Sequence, residues 1–138
     1  MGHALALQKA LRGRLVATPE VLALVPAASI LDRNQRPAPS PSIILGEAQQ
    51  VDEGDDMCRA RLRIFHTLHI WKKEPSLAGV NAIAAEIRKA VQAGRLDLAP
   101  GFHCADQRIA DMRALRDPDG ETSHGVVTVE ALVIEVAS

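Results

Sequence analysis

The stretch that decides the fold is Cys58–Lys73, "CRARLRIFHTLHIWKK". Leu62, Ile64, Leu68 and Ile70 recur at even spacing, while Arg61, Arg63, Thr67 and His69 occupy the odd positions between them. A period of two is that of a β-strand with one buried and one polar face, antiparallel in character. His66 and His69 lie three residues apart. On a helix the two rings would share a face, but on a strand they point to opposite sides and do not readily share a metal. His66 falls in the apolar row and reads as a hydrogen-bonded, partly buried histidine; His69 falls in the polar row.

Outward from this strand, Ser76 reads as the N-cap of "LAGVNAIAAEIRKAVQAG", where Val80, Ile83, Ile87 and Val91 form an apolar stripe and Gly94 supplies the stop. Beyond that helix, "FHCADQRIADMRAL" and "GVVTVEALVIEV" are strand-like, and "RDPDGE" between them is turn chemistry, so the two form a hairpin. In the other direction "DEGDD" is an acidic loop preceded by the strand-like "SIILGEAQQV". The prolines of "RPAPSPS", Pro37, Pro39 and Pro41, allow neither helix nor central strand and predict a rigid, extended connector. "SILDRN" is a short strand or an edge. At the N-terminus Ala4, Leu7, Leu11 and Leu15 mark one helix face, and Thr18 with Pro19 starts a second short helix running to about Val25. Trp71 is expected to pack at the strand end, near the start of the helix after Ser76. The order predicts an α+β fold over residues 1–138, an antiparallel or mixed sheet flanked by two main helices in one domain.

A chain of 138 residues buries a real core without staples. Its three aromatics, Phe65, Trp71 and Phe102, offer few stacking platforms, and a net charge of −1 gives no basic surface for a phosphate backbone. Cys58 and Cys104 form no C-x-x-C pair and read as buried or free thiols in a reducing compartment. The N-terminal residues Gln8, Lys9, Arg12 and Arg14 interrupt any signal-peptide stretch, and no segment approaches a membrane span, so the sequence reads as soluble. Nucleotide-loop, nucleophile-elbow and H-E-x-x-H motifs are all missing. "DPDGE" carries its glycine three residues after the first aspartate, too early for a calcium loop. A composite site joining His103 and His124 across the hairpin is conceivable but follows no spacing motif. No cofactor, metal site or catalytic residue is expected from these residues.

Taken in order, "LQKALRGRL", "TPEVLALV", "ILDRN", "PAPSPSIILGEAQQ", "HIWKK", "NAIAAEIRKAV" and "RDPDGETSHGVV" resemble the tail terminator, or tail-completion, proteins of long-tailed phages, over nearly the whole chain. The resemblance implies a non-enzymatic structural subunit that assembles as a homo-oligomeric ring, typically a hexamer, on the finished tail tube. Such a ring ends tube growth, joins the tail to the neck or head-tail joining protein, and lets DNA pass through its channel without sequence-specific binding. The Ala- and Arg-rich composition suits a prophage or a gene transfer agent particle as well as a free phage. The expected location is the head-tail junction of a particle assembled in the bacterial host cytoplasm, with no membrane partner. On this reading Asp52, Glu53, Asp55 and Asp56 form a loop that lines the lumen or reaches the tail tube, and Arg61, Arg63 and His69 face a neighbouring subunit. Another neck or minor tail component, such as a stopper, is an alternative; so is a small metal-dependent enzyme using the histidines with Cys104.

Overall fold

The strand read from Cys58–Lys73 forms as β3, Arg61–Lys72, and it lies at the centre of the sheet. The structure, a computed structural model, describes residues 1–54 and 57–136. Along β3 the buried residues are Ile64, His66, Leu68 and Ile70, the alternation that a strand with one covered face requires. Five strands stand in the order β1-β2-β3-β5-β4, with β1 at Ile30–Leu31, β2 at Ser42–Asp52, β4 at Phe102–Arg116 and β5 at Ser123–Glu135. β1 runs parallel to β2 and every other pairing is antiparallel, so the sheet is mixed. The fold is α+β in one small domain.

Among the described residues three α-helices complete it, α1 (His3–Val16), the single turn α2 (Pro19–Leu22) and α3 (Ala78–Gln92), with a short 3-10 turn at Ala27–Ser29. Leu7, Leu11 and Leu15 of α1 and Val80, Ile83, Ile87 and Val91 of α3 share one buried cluster with Ile64, Leu68 and Ile70 of β3 and Val127, Val129 and Val133 of β5. Both long helices therefore cover the same side of the sheet, and each fully buried Leu, Ile or Val there contributes about 1.5–3 kcal/mol. Among the described residues the opposite side carries no helix.

Local chemistry sets the boundaries. Thr18 precedes Pro19, but its hydroxyl donates back to the Arg14 carbonyl at 2.6 Å instead of capping α2, which ends after one turn. Leu77, not Ser76, holds the N-cap position of α3, although the Ser76 hydroxyl accepts from the Ala78 N–H at 3.1 Å. Past α3, Gly94 sits at φ +152, a conformation that favours glycine, and the chain leaves the helix there. α3 carries the chain from β3 to β4, which run parallel with β5 between them. The β4–β5 turn is fastened by Asp119, whose carboxylate accepts from the Glu121 and Thr122 N–H groups at 2.8 Å each.

Candidate functional site

The helix-free face of the sheet carries a cross-strand charge network and a pair of histidines. Asp52 ends β2, and Glu53 opens the β2–β3 connection. Glu53 is not an isolated loop charge: its carboxylate accepts from Arg63 Nε at 2.9 Å and from a second guanidinium nitrogen at 3.0 Å. Arg63 also donates to Glu130 of β5 at 2.8 Å, and Glu130 accepts from Arg108 of β4 at 3.0 Å. The bond from Arg63 holds the Glu53 carboxyl below its ordinary range, and Glu53 in turn raises the Arg63 guanidinium. Arg63 is thus committed to carboxylates of its own chain. Arg61 is exposed at the start of β3. Asp55 and Asp56, the remaining residues of the acidic run, lie outside the described residues.

His69 joins a cluster that the sequence did not announce. Its Nδ1 lies 2.9 Å from Nε2 of His124 on β5, and its Nε2 lies 3.3 Å from the Glu47 carboxylate. His124 stacks on Trp71 with ring centroids 3.8 Å apart and planes 5° from parallel. The strand register brings these groups together, since Trp71 of β3 pairs with His124 of β5. Gly46 makes room for them: a Cβ there would lie 2.8 Å from His69 Cδ2. Burial and the neighbouring His69 charge lower the His124 imidazole from its ordinary value. Trp71 therefore sits on the helix-free face, lining a groove with Gln35, Ala38 and Ile44, and not against the start of α3 as expected. The proline connector folds over this end of the sheet.

The other titratable groups do not converge with this cluster. His66 is fully buried in the apolar row, its Nδ1 is 3.4 Å from the Thr67 carbonyl, and its Nε2 has no partner among the described residues. The expected hydrogen bond is present at Nδ1, but the expectation of partial burial is corrected to full burial, which pushes the imidazole below its ordinary value. His103 lies level with Ile134 and His124 level with Leu115, so they sit toward opposite ends of the hairpin and form no composite site. Cys104 is buried on the core side, its thiol 3.3 Å from Gln107 Oε1, and burial pushes that thiol up; Cys58 is exposed. Among the described residues no group of three or more His, Cys, Asp or Glu side chains is placed to hold a metal. No helix among them is long and apolar enough to cross a membrane.

The model of the family described as tail completion protein gp17 matches residues 9–134. The chain belongs to this family. Membership makes it a structural protein of a phage-type tail, located in the virion, and implies assembly with other tail or neck proteins. A chain from a structure titled "Virion of native gene transfer agent (GTA) particle" superimposes with a TM-score of 0.81 at 21% identity, over 96% of this chain and 98% of that one. At that identity the match shows the shared fold. No curated protein matches the sequence.

Proposed function

We propose that this tail completion protein forms a hexameric ring on the end of the tail tube, stops its growth, and offers the opposite rim to the neck while DNA passes through the channel. Family membership carries the reading. The sheet adds support: all its long helices lie on one side, which leaves the other side, studded with paired charges, to face a lumen or a partner. The Arg63–Glu53, Arg63–Glu130 and Arg108–Glu130 pairs neutralise that face locally, so passing phosphates meet little unpaired positive charge. The chain works by binding and not by catalysis.

Within this reading the acidic β2–β3 tip reaches the lumen or the tube. Because Glu53 anchors Arg63, the test reverses Asp52, Asp55 and Asp56 to lysine and leaves Glu53 in place. Particles bearing the triple variant are expected to show slowed tail joining or incomplete DNA release. Particles with normal joining and normal release would rule out this role for the tip.

A further inference from the structure

The two lateral edges of the sheet are unlike, and each leaves backbone groups unpaired. β1 is only two residues long and covers β2 at Ile43 and Ile44, so Glu47–Asp52 form an open edge. At the far side β4 is an edge strand of 15 residues. Its first half is shielded: Arg95 donates to the Cys104 carbonyl at 2.9 Å, and register shifts fall at Cys104/Asp106 and Ile109/Asp111. Its second half, Asp111–Arg116, pairs without interruption to β5 and is open on its outer side.

Hydrogen-bond phase identifies the free groups. The Glu53 N–H donates to Arg61, so Glu53, Val51 and Gln49 turn inward to β3, while Asp52, Gln50 and Ala48 point their N–H and C=O outward. The Asp117 N–H donates to Thr122, so Leu115 and Arg113 turn inward to β5, while Arg116, Ala114 and Met112 point outward. Each edge thus presents three outward residues in an uninterrupted run. Val51, Met112 and Leu115, at 42%, 41% and 41% exposure, are large apolar side chains left in solvent on these two runs. The β2 run carries Glu47 and Asp52 with no basic residue, whereas the β4 run carries Arg113 and Arg116 against Asp111. The two runs are opposite in net charge, which favours their approach.

We propose that successive copies in the ring join by antiparallel pairing of β4 residues 112–116 of one copy with β2 residues 48–52 of the next, which makes one continuous sheet. The inference rests on the ring reading above. Four long strands per copy alternate in direction, so rotation about an axis sets β4 antiparallel to the neighbour's β2. With Gln50 opposite Ala114, both side chains lie on the helix side, because Gln50 is level with Ile64 and Ala114 with Gly125 and Ile70. Val51 then faces Arg113 and Gln49 faces Leu115 on the helix-free side.

Geometry favours closure. Within one copy Gln50 is level with Gln107, six register steps from Ala114, so the pairing offsets neighbours by about 20 Å along the strands over about 19 Å of sheet width. A ring absorbs that offset by inclining its strands about 45° to the axis, at the upper end of the inclination of closed sheets. Parallel crossovers such as β3–α3–β4 are right-handed, and with the helices outward this gives the offset the hand of a right-twisted barrel. Six copies make a barrel about 50 Å across at the backbone, lined by the helix-free face.

Two variants test the pairing in particles assembled with the full chain. Gln50→Pro removes an outward N–H and no bond to β3, so the subunit keeps its fold but no ring is seen at the tail end; Gln49→Pro, which breaks a bond to β3, unfolds it. In a Cys58→Ser background, Gln49→Cys with Leu115→Cys places the two Cα atoms about 4.5 Å apart across the junction, and oxidation gives a ladder of covalent oligomers absent from either single variant. A normal ring with Gln50→Pro, or a wild-type-like ring in the double-cysteine variant without a ladder, overturns the pairing and leaves the ring reading intact. Wild-type particles with no ring overturn both.

Discussion

His66→Leu is the substitution whose effect follows most directly from the structure. The imidazole is fully buried among Ile64, Leu68 and Ile70 in the strand row that meets the helices, and its Nε2 has no partner among the described residues. Burial holds its folded-state value below the ordinary 6.5, so the folded chain resists the proton that the unfolded chain accepts. The stability this protects is fully present above about pH 7 and is lost as pH falls below 6.5, until the folded-state value is reached. Between pH 7.5 and 5.5 the loss has an upper limit of about 1.4 kcal/mol, reached where the folded chain keeps the imidazole neutral throughout. Leucine fills similar volume without titrating, and it relieves an unpartnered buried nitrogen whose desolvation costs about 1–3 kcal/mol. Urea unfolding at both pH values, on wild type and His66→Leu, measures the difference: the wild type loses more stability than the variant, by up to about 1.4 kcal/mol. His124 titrates in both proteins and cancels. Parallel pH profiles for the two proteins would refute the argument.

Two further outcomes follow from the same geometry. Trp71, the chain's one tryptophan, stacks on His124, so its emission should change on acidification with a midpoint below 6.5, and His124→Phe should abolish that change; an unaltered fluorescence titration would contradict the stacking. Leu68→Ala empties a fully buried site between sheet and helices and should cost about 2–5 kcal/mol in urea unfolding, whereas a loss below about 1 kcal/mol would mean that the site collapses around the gap.

The fold was legible where periodicity is strong. Alternation along Arg61–Lys72, the stripe of α3 and the turn residues around Asp119 and Gly120 each state their element locally, and together they imply a sheet with helices on one side. What the sequence does not state is register. Nothing in the spacing of His69, Trp71 and His124 reveals that β5 inserts between β3 and β4 and sets His124 beside Trp71; that follows from strand order, which depends on the crossover through α3. The shift between Leu45 and Ala48 is equally silent, because Gly46 looks like any strand glycine until His69 is seen against it. In sequence the acidic run looks like a unit, yet Glu53 belongs to a charge network with Arg63, Glu130 and Arg108 that spans three strands. Long-range ion pairs of this kind leave no local pattern. The resemblance to tail-completion proteins rested on the order of elements along the chain, and order survives where individual residues diverge; the family match over residues 9–134 agrees with it.

The measurement that tests the central claim most directly is image reconstruction of the head-tail junction in purified particles, with this chain identified by a label. The expected result is a six-fold ring of this protein between tail tube and neck, with helices outward and the helix-free sheet face toward the channel. Particles that carry the chain elsewhere, or that join heads to tails without it, would contradict the account.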